Sequence, residues 1–214
     1  MKKVQKDFEA THVRPERLMK TLFTDEAYVK ANVDEARLMR RLFDLACNMQ
    51  SHDTDMQLYS LFTDEECYDL WSCNNLYWYL THACSPVTDG LMPYREADLL
   101  RNILDRADAA LKEGKNQATL RFGHESCLLP LVALLELNHY GESYPDVEKL
   151  SEQWRAYDIF PMASNVQFVF FHKKGSNDVL VKVLLNEKEA KLPVKTDVAP
   201  YYHWKDVELS LIHI

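Results

Sequence analysis

Two adjacent residues, His124 and Glu125, are the clearest candidates for chemistry in this sequence. They follow the segment Leu120–Gly123 and precede an apolar run that begins at Ser126. The pattern predicts a strand that ends at a glycine and leads directly into a helix. Free amides and the helix dipole at such a start attract anions such as phosphate. A histidine there can hydrogen-bond an anion, and the adjacent carboxyl group can supply a proton.

A structural interpretation of the same pair also stays open, because a His-Glu pair at a helix start more often caps the helix than catalyses a reaction. Gly123 would let the backbone turn closely beside a ligand. Arg121 alternates with Leu120 and Phe122 along the predicted strand, so it need not face the same side as His124. A salt bridge and a contact with phosphate are both compatible with Arg121.

Two other groups of residues invite a functional interpretation. Ser51-His52-Asp53 could form a charge relay, but adjacent residues have no local reason to face one pocket. A turn in which Asp53 caps the next helix is the simpler hypothesis. The segment Asn74–Tyr79 is rich in aromatic residues, and its helical spacing favours core packing over a binding site.

The first half of the chain has the periodicity of helices, with apolar residues at helix spacing between Leu18 and Ala46. A capping box follows at Thr63 and Glu66, in which each side chain can accept a hydrogen bond from the backbone amide of the other residue. The helix that this box opens should run through Tyr79. The sequence therefore places a helical half before the His-Glu pair.

The segment between that half and the His-Glu pair predicts one further helix. A loop at Ser85–Gly90 breaks the pattern, and a long amphipathic helix should extend from Tyr94 to Lys112. Gly114 is a suitable residue to end that helix, because glycine adopts the left-handed conformation required there. After Gly114 the helical periodicity gives way to a mixture of strand-like and helical patterns.

The second half combines strands and helices. Gln117–Phe122 is predicted as a short strand and Ser126–Leu137 as a buried helix. Val166–Phe171 and Asp178–Leu185 should pair as a hairpin, and Ala190–Val194 is a candidate third strand. Three or four strands are too few for an open sheet covered by helices on both faces, so partner strands are expected outside this sequence.

Composition excludes several classes of function. The chain has 214 residues, a net charge of −8 and a pI of about 5.5, with no basic tract, so nucleic acid is not an expected partner. It has five glycines, where average usage of roughly 7% would give about fifteen. It has no glycine-rich phosphate loop and no C-x-x-C metal motif, so we expect neither a nucleotide fold nor a metal site.

The sequence shows few features that indicate where in the cell the protein is located. No apolar run approaches the length of a membrane span. Met1-Lys2-Lys3 is followed by Val4–Glu9 in place of an apolar stretch, so the sequence predicts no signal peptide. Five cysteines, an odd number, give no fully paired disulfide framework. Composition alone therefore favours the cytosol.

The residues around His124 resemble the C-terminal signature of the histidine acid phosphatases. In that family a Gly-His-Asp or His-Ala-Glu string ends a sheet strand, and an apolar helix with a proline follows. The similarity is greatest to the bacterial branch related to multiple inositol polyphosphate phosphatases, which are phytase-like enzymes. The matching segments are Arg121–Glu125, Leu129–Leu131, Tyr157–Asn165, Val181–Glu187 and Pro200–Trp204, with Leu38–Asp44, Asn48–Asp53 and Asn74–Tyr79 upstream.

The resemblance implies a phosphomonoesterase that works through a phosphohistidine intermediate and needs no cofactor. A second histidine, matched here by His124, helps arginines to stabilise the transferring phosphoryl group. An acid, matched by Glu125, protonates the leaving alcohol. The helical insertion lines the substrate cleft in the family, so His52 and Arg121 become weaker candidates for substrate binding. The implied substrates are inositol polyphosphates such as phytate.

The sequence also departs from the family. Glu125 follows His124 directly, whereas acid phosphatases usually have Asp there and the inositol phosphatase branch has Ala and then Glu. No Arg-His-Gly nucleophile motif occurs, and His12-Val13-Arg14 lacks the glycine and precedes a predicted helix. The chain therefore resembles the C-terminal part of a longer phosphatase, with the nucleophile and the phosphate-clamping arginines in a missing N-terminal part.

The expected fold class is α+β. A helical insertion subdomain should span residues 1–115, and the C-terminal part of a phosphoglycerate-mutase-like α/β sheet domain should span residues 116–208. Residues 209–214 do not continue the family pattern, and we assign no role to His213.

Three interpretations follow from this comparison. The first is a phosphatase whose full-length form is exported to the periplasm or the cell surface, as is usual in the family. The second is a fragment that is inactive without its missing half. The third is a non-catalytic helical interaction module in which the His-Glu pair is merely structural.

Overall fold

The computed structural model describes residues 1–211, which form two units, one from Met1 to Tyr77 and the other from Trp78 onward. His213 lies outside the described residues. Ten α-helices occur in this range: α1 Lys2–His12, α2 Glu16–Leu22, α3 Glu26–Asn32, α4 Glu35–Asn48, α5 Asp64–His82, α6 Ala97–Glu113, α7 Glu125–Leu134, α8 Leu150–Gln153, α9 Ala156–Ile159 and α10 Trp204–Leu211. The expected α+β class is confirmed by these helices together with a small antiparallel sheet.

Short 3-10 helices and four strands complete the described secondary structure. The 3-10 helices are Met49–Ser51, Tyr59–Leu61, Pro86–Thr88, Met92–Glu96, Leu137–His139 and Val147–Lys149. The strands are β1 Val166–His172, β2 Val179–Leu185, β3 Lys188–Glu189 and β4 Tyr202–His203. None of the helices within residues 1–211 is long and apolar enough to cross a membrane.

The first unit packs its helices around one apolar core. Asp25 and Asp34 cap α3 and α4, since each carboxylate accepts a hydrogen bond from a backbone amide in the first turn. These caps fix where the helices start and therefore which faces turn inward. The buried core residues are Leu18, Met19, Val29, Met39, Ala46, Phe62 and Leu70.

The predicted capping box opens α5. The Glu66 amide donates to the Thr63 hydroxyl at 3.2 Å, and the Thr63 amide donates to the Glu66 carboxylate at 2.9 Å. Arg17 in α2 also donates to both oxygens of Glu66 and to the Leu61 carbonyl. This bidentate pair lowers the pKa of Glu66 and joins the start of α5 to α2.

In the second unit, α6 and α7 follow the predicted pattern closely. α6 ends at Gly114, which has a φ of 65° and donates its amide to the Leu111 carbonyl. A left-handed conformation at this position favours glycine. α7 is buried at every position from Leu129 to Leu134, as the unbroken apolar run requires.

The sheet is built on the predicted hairpin. β1 and β2 pair antiparallel over seven residues, with Val166 opposite Leu185 and His172 opposite Val179. β3 and β4 pair with β2 as well. The prediction of a third strand at Ala190–Val194 is wrong, because the paired segment ends at Glu189. The Ala190 amide still bonds to the Val183 carbonyl, after which the Leu192 amide bonds to the Tyr202 hydroxyl.

The strand predicted at Gln117–Phe122 does not form in the described residues. This segment has no regular secondary structure, and Leu120 and Phe122 are 76% and 93% exposed. Alternation of apolar side chains favours a strand, but a strand exists only where a neighbour pairs with its backbone. Within residues 1–211 no strand pairs with this segment.

A histidine between two carboxylates joins the sheet to the loop before β4. The His203 Nδ1 lies 3.0 Å from both carboxylate oxygens of Asp178, and its Nε2 lies 3.0 Å from Asp197. Both ring nitrogens can donate only when the imidazole is protonated. The hydrogen bonds to Asp178 and Asp197 accordingly raise the pKa of His203 above its ordinary value.

We expect Thr63→Ala to destabilise the protein by about 1 kcal/mol, because the Glu66 amide loses its acceptor at the start of α5. The free energy of unfolding in urea measures this loss. Thr21→Ala is the matched control, since the exposed Thr21 hydroxyl only donates back to the Arg17 carbonyl within α2. Equal stability of the two variants would contradict a stabilising role for the capping box.

We expect His203→Gln to lower the melting temperature near pH 5.5 and to change it little near pH 9. The raised pKa means that the stabilisation is fully present below the ordinary histidine pKa and is lost as pH rises through the folded value. Thermal unfolding of the variant across this range checks the sign. The exposed His52 provides a control variant, His52→Gln. A difference that grows with pH would refute the assignment.

Candidate active site

The candidate site begins where the buried part of α7 ends. Leu129 and Val132 are fully buried, and Leu135 just beyond the helix is buried as well. Towards its start the helix emerges, so that Glu125 and the preceding His124 are exposed. The buried portion thus fixes an exposed helix N-terminus, the geometry that binds anions.

His124 occupies the position immediately before α7. Its backbone is extended, with φ −115° and ψ 162°, and its carbonyl accepts from the amides of Cys127 and Leu128 at 2.9 and 3.1 Å. The imidazole makes no capping hydrogen bond to the helix. The capping alternative for this side chain is therefore not realised, and the ring is exposed beside the first amides of α7.

Glu125 acts electrostatically on a buried histidine from another helix. The buried His82, at the end of α5, is only 7% exposed, and burial lowers its pKa. The positive charge of Arg95 lowers that pKa further, whereas the negative charge of Glu125 opposes the shift. Arg95 and Glu125 therefore each lie within electrostatic reach of His82.

His82 is held in a defined orientation. Its Nδ1 lies 2.7 Å from the Thr81 hydroxyl, and its ring lies 4.8 Å from the ring of Trp78. Phe160 packs edge-on against Trp78. The lowered pKa keeps this imidazole neutral near pH 7, as expected for a buried histidine.

Arg121 points toward α6. Its Nη2 donates to the Asn102 side-chain oxygen at 2.7 Å, with a longer contact of 3.4 Å to the Asn102 carbonyl. Within residues 1–211 it forms no ion pair, so the salt bridge considered from the sequence is absent from the described part. The guanidinium is exposed and retains donors for an anion.

Gly123 is not needed for space in this structure. A Cβ at this position would meet nothing within 4 Å, and its φ lies outside the left-handed region. The described residues around it therefore impose no requirement for glycine. The close approach to a ligand that we predicted for Gly123 is a hypothesis that a bound molecule alone could test.

His52 lies in the first unit, apart in sequence from the other candidates. It follows the 3-10 helix Met49–Ser51 and is exposed, and its amide donates to the Met49 carbonyl at 3.1 Å. Asp53 is not a helix cap, because the next helical segment begins at Tyr59. His124, Glu125 and Arg121 lie in the second unit.

Sequence reasoning did not single out His82 and Arg95. His82 lies 43 positions before Glu125 in the chain, and no local motif connects the two. Arg95 belongs to the 3-10 helix Met92–Glu96, which packs against α7. The apolar periodicity predicted a helix through this position, whereas the contact of this short helix with α7 depends on tertiary packing. Among residues 1–211, no group of histidine, cysteine and acidic side chains is arranged to hold a metal ion.

The family model of the histidine phosphatase superfamily, branch 2, matches residues 1–186. That range is most of the chain and includes the first unit, the larger part of the second unit and the His-Glu pair. The chain belongs to this superfamily. The resemblance inferred from the sequence motifs is thereby confirmed. No curated protein shows a significant match to the chain.

Three solved structures of a Bifidobacterium longum multiple inositol polyphosphate phosphatase share the fold. The apo form has 23% identity and a TM-score of 0.68, and the chain covers 39% of it. The complex with inositol hexasulfate has 21% identity and a TM-score of 0.66 with 38% covered, and the complex with phosphate has 21% and 0.67 with 40% covered. Each alignment includes 83% of the present chain. The chain thus spans about two fifths of the length of these solved structures.

Proposed function

We propose that this histidine phosphatase chain contributes the phosphate-binding histidine and the proton donor of a phosphomonoesterase that acts on inositol polyphosphates such as phytate. The observation that carries the proposal is the placement of His124 and Glu125, exposed, at the N-terminus of α7 in a chain of this superfamily. The Bifidobacterium structures with inositol hexasulfate and with phosphate support the substrate class by analogy.

The proposed reaction has two steps. A nucleophilic histidine attacks phosphorus while the bond to the alcohol oxygen breaks. In the family this histidine belongs to an Arg-His-Gly motif, which the present sequence lacks. The protonated Glu125 gives its proton to that oxygen, and His124 donates a hydrogen bond to a phosphoryl oxygen. Water then attacks the phosphohistidine, Glu125 takes a proton from it, and phosphate and the free histidine are released.

The nucleophile is proposed to come from an N-terminal part of the same protein. The strand shortage, the exposed Leu120 and Phe122, and the two-fifths coverage of the solved relatives support this arrangement. We also propose a periplasmic or cell-surface location for the full-length protein, on the family resemblance alone. A non-catalytic interaction module is the second candidate, and the exposed apolar side chains of residues 120 and 122 favour it.

The 214-residue chain alone should show little or no turnover of p-nitrophenyl phosphate, because a proton donor and a second histidine do not replace a nucleophile. The release of p-nitrophenolate by the purified chain measures this. Robust hydrolysis that His124→Ala abolishes would show that the attacking residue lies within this sequence, and the proposed division of roles would be wrong.

In a protein that joins this chain to an Arg-His-Gly segment, His124→Ala should lower the rate by roughly 10²–10³, because one preorganised donor to the phosphoryl group is lost. Glu125→Gln should slow phytate hydrolysis by roughly 10²–10⁴ if it removes the general acid. The Glu125 variant should recover on p-nitrophenyl phosphate, whose leaving group needs little protonation, and the His124 variant should not.

The comparison of the two substrates provides the internal control for this pair of variants. Equal impairment of Glu125→Gln on both substrates would remove Glu125 from the acid role and restore its structural interpretation. Full activity of His124→Ala on both substrates would support the non-catalytic interpretation of the helix start.

A further inference from the structure

The C-terminal segment, formed by β4 and α10, is joined to the rest of the second unit by two polar contacts at successive positions. His203 ends β4, and Trp204 begins α10. The His203 imidazole lies between Asp178, directly before β2, and Asp197 in the loop before β4, 3.0 Å from each. The Trp204 indole nitrogen donates to the Asp108 carboxylate of α6 at 2.8 Å. Both contacts therefore end on carboxylates outside the C-terminal segment.

Glu208 brings a second carboxyl group to the contact with α6. It lies four positions after Trp204, so the two side chains share one face of α10. Side chains on a helix lean toward its N-terminus, so the Glu208 side chain covers the turn that carries Trp204. Trp204 is only 5% exposed there, and Glu208 and Asp108 are both half-buried. Two carboxylates so placed repel each other, and one bound proton removes the repulsion.

The charged groups that act on Glu208 come from α6 and from α10 itself. Lys112 and Lys205 favour the ionised carboxylate, whereas burial and a hydrogen bond with Asp108 favour the protonated form. Burial and Asp108 outweigh the two lysines, so the pKa of Glu208 is raised above its ordinary value. The folded state thus retains a proton here that a solvated glutamate would release.

His203 makes the contact with β2 dependent on a proton as well, because both of its nitrogens can donate only in the charged imidazole. Its hydrogen bond also lowers the pKa of Asp197, which keeps that carboxylate ionised while the imidazole is charged. Lys182 on β2 pairs with Glu189, its Nζ lying 3.4 Å from the carboxylate. The proton on His203 therefore supplies the positive charge between Asp178 and Asp197.

We propose that the C-terminal segment is a pH-sensitive latch, which is closed on α6 and on the start of β2 in mildly acidic solution and opens as the pH rises. Protons bound at Glu208 and His203 keep it closed. Both contacts weaken in the same direction, since each loses a proton with rising pH. Opening separates Trp204 from Asp108 and uncovers the part of β2 on which α10 packs.

The two protons act over different ranges of pH. The stabilisation from Glu208 is fully present below its ordinary pKa of 4.5 and is lost as pH rises through the higher folded value. That from His203 is fully present below 6.5 and is lost as pH rises through its own raised pKa. The contribution of Asp197 has the opposite sign, and it is lost only as pH falls through its lowered pKa.

The indole N–H of Trp204 reports the state of the latch, because it donates to Asp108 in the closed form. Its hydrogen-exchange protection in the 214-residue chain can be measured by nuclear magnetic resonance, with Trp204→Phe to identify the signal. Protection should fall about tenfold or more between pH 5 and pH 8, since each unit of pKa shift corresponds to a tenfold change. The backbone amide of Val132, buried in α7, is the internal reference and should keep its protection.

Substitutions separate the two contacts. Glu208→Gln imitates the protonated side chain, so it should increase the protection of the Trp204 indole at pH 8 and remove its dependence on the Glu208 proton. Asp108→Asn should act in the same way, because it keeps an acceptor for the indole. His203→Gln should lower protection at pH 5 and change it little at pH 8. Asp206→Asn is the matched control, since it changes the net charge equally from an exposed position of α10.

Three results would overturn the latch or one of its contacts. Constant protection of the Trp204 indole from pH 5 to pH 8 would refute it outright. A fall in protection shared equally by Val132 would show that pH acts on the whole unit and not on release of α10. If Glu208→Gln behaves like Asp206→Asn, the shared proton with Asp108 is wrong. All of these measurements are independent of phosphatase activity and of the phosphate site proposed at the start of α7.

Discussion

Burial of the C-terminal two thirds of α7 is the interaction on which the candidate site depends. An isolated helix shorter than about 12–15 residues is marginal in water, and α7 has ten. Each fully buried leucine contributes roughly 1.5–3 kcal/mol, and the run from Leu129 to Leu134 is buried throughout. This burial keeps the first turn formed although it is exposed. It also gives the 3-10 helix Met92–Glu96 a surface to pack on, and it fixes His124 and Glu125 at the exposed start of the helix.

The two segments that meet at the candidate site, α7 and residues 117–122, differ in how firmly their neighbours fix them. On the side of α7, helix packing and the buried His82 define the geometry. On the other side, residues 117–122 have the alternation of a strand but no neighbouring strand, and Phe122 is almost fully exposed. Backbone groups in an extended segment gain their fixed arrangement from pairing. Arg121, which this segment carries, is consequently held by a single partner, Asn102.

Local patterns allowed much of this fold to be predicted. The capping box at Thr63, the glycine at the end of α6 and the hairpin of β1 and β2 are each specified within a few residues of sequence, and each is present. The strand at Gln117–Phe122 was predicted wrongly, since pairing depends on a partner that no local pattern supplies. The hydrogen bond between Asp178 and His203 spans 25 positions of the sequence. The electrostatic effect of Arg95 and Glu125 on His82 likewise depends on tertiary packing. Neither interaction produces a pattern that can be recognised in the sequence.

The net charge of the chain explains why the candidate site depends on tertiary packing as well as on the His-Glu motif. A chain with net charge −8 repels anions at long range, although physiological salt screens charges beyond about 8 Å. Recognition must therefore occur at short range, through donors that folding has already placed. The helix start presents free amides and the exposed imidazole of His124. The motif specifies which residues stand at the exposed start of α7, and the packing of the second unit adds the buried His82 on which Glu125 acts.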